Sequence, residues 1–272
     1  MPQTLADVLD VIERLWPQAG AEGWDAPGVV VGDPAAQVTR VRLVVDAVAA
    51  TIDEALETKT DLVLSHHPLL LRGVSSVAED RYKGLLVARL IRAGCALVTA
   101  HTNADVVPDG VSDVIAQRIG LSGIRPIVAG ATDRSGVGRV GTLPEPTGLG
   151  ALARRIADIL PPTASGIRVS GEFAQPVTTV SLCGGAGDAY LREPAVLASD
   201  VYITSDLRHH PASEAREQAL LGGGPALIDV SHWASEWLWL DVAARQLRAA
   251  LPGVEVTISE LRTDPWDFAI MQ

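Results

Sequence analysis

One ordered set of motifs occurs twice along this chain, and the repeat restricts the fold more than any other feature. In the first half an apolar, β-branched run, Asp61-Leu62-Val63-Leu64-Ser65, ends in His66-His67-Pro68. In the second half Asp200 to Thr204 leads by a longer linker to His209-His210-Pro211. Later in each half a strand-like run reaches a histidine with an acid four residues on, His101 with Asp105 and His232 with Glu236. The order in both halves is strand, helix, strand with His-His-Pro, helix, strand, His-x-x-x-acid. Such a recurrence implies a duplicated lobe.

The runs between the motifs set the fold class. Leu5, Val8, Ile12 and Leu15 recur at helical spacing, and Pro17 stops that helix. Val41 to Val45 reads as a strand. Thr51 with Glu54 reads as a capping box opening a helix to about Lys59. Leu85 to Arg92 make a helix closed by Gly94. The strand from Cys95 to Thr99 runs into His101–Asp105, where Asn103 and Asp105 suggest a loop. Residues 122–150 are rich in Gly, Pro and Ser, which suits a boundary or linker. Beyond it, strands are expected at 177–182, 201–204, 226–230 and 254–258, with helices at 149–160, from Ala212 and from His232. Short strands alternating with helices imply an α/β fold. The lobes are drawn at 1–127 and 128–272.

Composition excludes several classes. The net charge of −11 argues against a nucleic-acid-binding surface, and no basic cluster offsets it. Cationic partners, including metals, are the milder inference. Cys95 and Cys183 each lie in an apolar run, so buried thiols are expected rather than a disulfide. No run of 18 apolar residues exists, so no membrane span is expected. The N-terminus reads as an acid-bearing amphipathic helix rather than a secretory signal. The default location is the cytoplasm.

All six histidines lie in the repeated motifs. The first pair closes a strand, where α/β proteins place their ligands. Neighbouring side chains on a regular strand point to opposite faces, so His66 and His67 serve one site only where the strand breaks, and Pro68 suggests that break. Histidines at the edge of a core are the bland alternative. On a helix His232 and Glu236 share a face and can grip one ion. Imidazoles and carboxylates with no thiolate nearby suit zinc, iron, manganese or nickel rather than calcium. The set is too rich for one tetrahedral ion; two ions about 3.5–4 Å apart use it better.

Gly23-Trp24-Asp25, Ser65-His66-His67-Pro68, His101-Thr102-Asn103-Ala104-Asp105, Asp206-Leu207-Arg208-His209-His210 and Ser231-His232-Trp233-Ala234-Ser235-Glu236 resemble the Nif-three-like family, also called the GTP cyclohydrolase I type 2 homologues. The resemblance runs nearly end to end. It implies two similar α/β lobes with a dinuclear metal site in the cleft between them, and a ring-shaped homohexamer. Carried over motif by motif, His66, His67, Asp105, His232 and Glu236 match the family's metal ligands, with Glu236 as the bridge. His101 matches either an extra ligand or a group hydrogen-bonded beside the metals. His209 and His210 match either acid/base groups or polar lining of the same cavity. The sequence departs from the family at Ala26, where Asn is usual, and at Ser205, where Gly is common.

The reading expected of such a chain is a metal-dependent hydrolase. A hydroxide shared between two ions attacks a nucleotide or other small anionic substrate, with His101, His209 or His210 moving protons. The rival reading is a non-catalytic metal-binding or regulatory ring. Three further features carry lesser expectations. Trp233, Trp237, Leu238 and Leu240 read as core or subunit interface. Cys183 to Gly187 reads as a loop that could cradle a phosphate, although no P-loop sequence is present. Asp25 reads as a structural corner or a group reaching the cavity.

Overall fold

A computed structural model of the chain describes residues 3–132 and 134–270. The chain divides into two compact units. One runs to Ala104 and takes in Leu240–Thr263; the other holds Asp105–Trp239 and the segment from Asp264. This division and the lobes drawn at 1–127 and 128–272 cut the chain at different places. Each unit is an α/β layer structure of its own.

In the first unit a five-stranded sheet has the order Glu255–Ile258, Arg40–Val44, Leu62–Ser65, Ala96–Thr99, Gly28–Val31. The first four strands run parallel and Gly28–Val31 is antiparallel. Every residue of Leu62–Ser65 and Ala96–Thr99 is buried, which is why both read as unbroken apolar runs rather than alternating ones. Ile52, Leu86 and Leu90, from the helices Ala49–Glu57 and Tyr82–Ala93, pack with Val63 and Leu97 of these strands. Gly94 ends the second of these helices in the left-handed region, φ 65°. The helix Leu5–Leu15 opens on a capping box: the Asp7 N–H donates to Thr4 Oγ1 at 3.2 Å and the Thr4 N–H to Asp7 Oδ2 at 2.8 Å. Thr51 does not open its helix as expected. It lies in the first turn, where its Oγ1 accepts from the Val48 N–H at 3.1 Å and donates to the Asp46 carbonyl at 2.7 Å.

The second unit holds a six-stranded sheet in the order Arg168–Ser170, Ala226–Val230, Val201–Ser205, Pro176–Ala186, Arg139–Gly148, Ser122–Arg125. Pro176–Ala186, Val201–Ser205 and Ala226–Val230 are parallel to one another, and the outer strands are antiparallel. Much of 122–150, expected as a linker, is therefore sheet. Its glycines serve packing as well as turning. Arg139, 1% exposed, donates to the carbonyls of Gly136, Gly138 and Val107 and lies 3.3 Å from Asp113. The backbone crowds around that one guanidinium. Cys183–Ala186, expected as a loop, continues the long strand through a register shift between Leu182 and Ala186. The helix expected from Ala212 begins at His209, since Pro211 is tolerated in a first turn. A helix His232–Ala250 follows the last strand of this sheet and runs from the second unit into the first. Cys95 and Cys183 are free and buried. Among the described residues no helix is long and apolar enough to cross a membrane.

Candidate functional site

In the first unit three imidazoles gather where the parallel strands end. His66 and His67 carry the ladder past Leu62–Ser65, their N–H groups donating to the carbonyls of Val44 at 2.9 Å and Val45 at 2.8 Å. The Ser65 hydroxyl donates to the His67 carbonyl at 2.9 Å, which turns the chain ahead of Pro68. The strand's alternation is broken there, and the two rings come to 5.2 Å between centroids. His101 follows Ala96–Thr99 and lies 5.2 Å from the His66 ring and 5.4 Å from the His67 ring. One ligand atom from each of His66, His67 and His101 lies within 4.8 Å of the others. The segment after His101 is a single helical turn, Thr102–Asp105, rather than a loop. The His101 N–H donates to Asn103 Oδ1 at 2.9 Å, and the Asn103 amide donates to the Trp16 carbonyl at 2.7 Å, so Asn103 ties this turn down.

What fixes the ring orientations is a set of oxygen acceptors behind them. His67 Nδ1 donates to Asp46 Oδ1 at 2.7 Å, His101 Nδ1 to Asp25 Oδ1 at 2.7 Å, and His66 Nδ1 to the Ala100 carbonyl at 3.0 Å. Carboxylates and carbonyls only accept, so the proton sits on Nδ1 and the lone pair on Nε2. Asp25 also accepts from the Thr102 N–H at 3.0 Å, from the Thr102 hydroxyl and from the Ala26 N–H at 2.7 Å. Burial works to raise its carboxyl, but the bonds from His101, Thr102 and Ala26 outweigh it and hold the pKa below the ordinary value. The His101 imidazole is pushed down to about 4, chiefly by burial and then by the neighbouring His66, against the opposing pull of Asp25. A neutral imidazole at physiological pH is the form that binds metal.

The second unit supplies an imidazole and a carboxylate on one helix face. His232 opens the long helix, and its Nε2 lies 3.0 Å from Glu236 Oε1, one turn on. Its Nδ1 donates to Asp206 Oδ2 at 2.7 Å. Asp206 follows Val201–Ser205 directly and has φ 56°, so the strand end turns sharply to bring its carboxylate back. Burial works to lower the His232 pKa, but Glu236 and Asp206 outweigh it and raise it well above the ordinary value. Glu236 is 3% exposed. Gly185 makes room for this pair. Its φ is +67°, and a Cβ there would lie 2.6 Å from Glu236 Oε1 and 3.3 Å from His232 Nε2. Its N–H donates to Ser235 Oγ at 3.0 Å. The Cys183 thiol, pushed up to about 12 by burial first and then by the charges of Asp105 and Glu236, stays protonated and offers no thiolate.

The expected residues are thus distributed as follows. His66, His67 and His101 form one group in the first unit. His232 and Glu236 form a pair in the second, where Asp105 and Glu236 both stand close enough to act on Cys183. His209 and His210 are exposed on the first turn of their helix, rings 5.3 Å apart. His210 faces a cavity of about 770 Å³ shared with Asp188, Arg192 and Glu214, whose walls do not include His232 or Glu236. Sequence reading missed Asp46, Asp206 and Gly185. Asp46 and Asp206 do carry a signal, since each lies one or two residues past the end of a parallel strand. Gly185 carries none, because only the packing shows what its missing side chain leaves room for.

Comparison with known proteins finds a family model, relatives and solved structures that match nearly the whole chain. The family model described as Duf34/NIF3 (NGG1p interacting factor 3) matches residues 3–265. A Streptomyces coelicolor protein named GTP cyclohydrolase 1 type 2 homolog is 44% identical, covering 98% of this chain and 94% of its own length. A Mycobacterium tuberculosis protein of the same name is 33% identical, covering 98% and 97%. Among solved structures, a Staphylococcus aureus hypothetical protein superposes with a TM-score of 0.89 at 26% identity, over 99% of this chain and all of that one. A Bacillus cereus protein related to NIF3 shares the fold, with a TM-score of 0.88 at 19% identity.

Proposed function

The chain belongs to the Duf34/NIF3 family, and from that premise we propose that it is a dinuclear metal-dependent hydrolase acting on a nucleotide or another small anionic substrate. The observation that carries this reading is the carboxylate behind three of the imidazoles: Asp46 behind His67, Asp25 behind His101 and Asp206 behind His232. A carboxylate on Nδ1 orients a ring and raises its basicity at Nε2, the arrangement common behind metal-ligating histidine. A merely structural histidine does not need it three times. The donor set is nitrogen and oxygen only, which fits zinc, iron, manganese or nickel.

We assign His66, His67, Asp105, His232 and Glu236 as the residues that would hold the metal. Divalent ions held there supply Lewis-acid chemistry and an activated water at neutral pH. The protein's own groups do the rest. Asp46, Asp25 and Asp206 keep Nδ1 protonated and the rings still. His101 holds or moves a proton at Nε2, beside His66 and His67. His209 and His210, beside a cavity whose walls do not include His232 or Glu236, are proposed as proton-transfer groups on the family resemblance alone. The relatives' printed name makes GTP the first substrate to try, ahead of other nucleotides and phosphoesters. The chain is further assigned to a homohexameric ring.

Elemental analysis of purified protein tests the reading first. About two divalent ions per chain are expected, falling in both His67→Ala and His232→Ala. Metal content that neither substitution changes overturns the ligand assignment. Turnover of GTP, other nucleotides or phosphoesters no faster than that of His232→Ala overturns the hydrolase assignment for those substrates and leaves a metal-binding protein.

A further inference from the structure

The second unit carries an apolar groove and, at the other end of its sequence, an apolar segment with nothing to cover it. The groove, about 540 Å³, lies between the helix Leu149–Ile159 and the strand Arg168–Ser170. Its walls include Arg154, Ala157, Leu160, Val169, Phe173 and Ser231. Phe173 is 63% and Val169 44% exposed, a large apolar surface for a protein standing alone. The Arg154 guanidinium stands 5.2 Å over the Phe173 ring and has no carboxylate partner among the described residues. Among the described residues the strand Arg168–Ser170 is an edge, paired with Ala226–Val230 alone.

The segment after Asp264 reads Pro265-Trp266-Asp267-Phe268-Ala269-Ile270. Trp266, Phe268 and Ile270 are 65%, 78% and 79% exposed. Apolar residues at every second position form one side of an extended strand, yet this stretch forms no strand. It starts at the groove, since the Ser231 hydroxyl donates to Asp264 Oδ2. Asp267, between the two aromatics, is an acid opposite in charge to Arg154, which lines the groove.

We propose that residues 264–270 of one copy dock in this groove of a second copy. The two aromatic side chains fill the apolar floor, Asp267 meets Arg154, and the extended backbone adds to the free edge of Arg168–Ser170. Strand addition of this kind draws affinity from main-chain bonds and selectivity from alternate side-chain pockets. A second copy is favoured as occupant because Asp264 ties each tail to Ser231, a lining residue of its own groove, so the tail and the groove lie together on one face of each copy. A two-fold contact between copies then places both tails at the partner's groove at once, the self-complementary arrangement of an isologous pair. The inference rests on the self-assembly part of the reading above and not on the metal.

The test is an Ala157→Cys, Phe268→Cys double variant oxidised in dilute solution. The native thiols are buried, so the parent chain is the control. A disulfide-linked dimer on a non-reducing gel is the expected result. An intrachain disulfide alone, or none, overturns the proposal, the first because the tail then fills its own groove. Light scattering on Trp266→Asp, Phe268→Asp protein should show a lower mass than the parent, and Arg154→Asp should weaken assembly that Asp267→Arg restores. A ring that persists in the tail variant and gives no interchain disulfide overturns this contact while leaving the hexamer. An interchain dimer with no larger species does the reverse.

Discussion

His101 makes a quantitative forecast about the metal-free protein. Its pKa is about 4 in the folded chain against 6.5 for an ordinary imidazole. Above pH 6.5 the folded and unfolded states both carry the neutral ring. As pH falls from there, the unfolded chain takes up a proton that the folded chain refuses, so stability falls with acid until the folded ring also titrates. The interval is roughly 2.5 pH units at about 1.4 kcal/mol each, or about 3.5 kcal/mol in all. With the side chain only 12% exposed, solvent screening trims that figure little. Two other groups with shifted pKa values leave the window clean. Asp25 titrates below its ordinary 3.8, under the window. His232, its pKa raised, contributes a stability that is whole below 6.5 and is lost only as pH rises through its folded value. The assay is urea unfolding of EDTA-treated protein from pH 7 to pH 5, comparing the parent with His101→Gln, which keeps an N–H for Asp25. The parent should lose about 2 kcal/mol more than the variant over that range. Parallel losses would show that burial does not keep the His101 ring neutral, and the argument for it as a ready metal-side imidazole would fall with them.

Three further outcomes are expected. Asp46→Ala frees the His67 ring and should weaken zinc binding by about ten- to a hundred-fold with an unchanged circular dichroism spectrum, since the carboxylate acts through the ring it holds; titration calorimetry reads this. Gly185→Ala puts a Cβ 2.6 Å from Glu236 Oε1 at φ +67°; it should destabilise the protein by about 1–2 kcal/mol from the backbone alone, measured by chemical denaturation, and lower its metal content. His232 is protonated at pH 7 without metal, so zinc binding there should release about one proton. Calorimetry in two buffers of different ionisation enthalpy counts that proton, and a buffer-independent heat would contradict the assignment.

Much of this was legible beforehand, for identifiable reasons. Leu62–Ser65 and Ala96–Thr99 are buried on both faces, so their apolar runs are unbroken and unmistakable. His232 and Glu236 were readable as a pair because helical spacing is a local rule. What failed to show was non-local. The stretch 122–150 looks like a linker because Gly and Pro break helices, but the glycines near Arg139 let backbone carbonyls converge on a buried guanidinium. Asp46 and Asp206 lie about twenty residues or more from the rings they hold, Asp46 21 from His67 and Asp206 26 from His232, a separation that no local pattern encodes.

The repeat itself is more instructive in its divergence than in its likeness. Each unit pins its central parallel strand with one aspartate. The Asp61 carboxylate accepts from the N–H groups of Thr39 and Arg40, and the Asp200 carboxylate from those of Thr178 and Thr179. The aspartates' own N–H groups donate to the carbonyls of Arg40 and Thr179, at 3.0 and 2.9 Å. From these anchors the equivalences can be counted. His101 and His232 each stand two residues past their strand, and both are ligand candidates. Six residues past the anchors Arg40 and Thr179, Asp46 stands opposite Gly185, so one unit has a carboxylate where the other has a space. Six residues past the pinning aspartates Asp61 and Asp200, His67 stands opposite Asp206, an imidazole in one and a carboxylate supporting an imidazole in the other. A duplicated scaffold fixes where a functional group can stand, at the carboxyl ends of parallel strands, and leaves which group stands there free to change. The His-His-Pro echo, the plainest repeat in the sequence, is by this count not an equivalence. His66 follows its strand at once, whereas His209 lies four residues past Ser205 and opens an exposed helix.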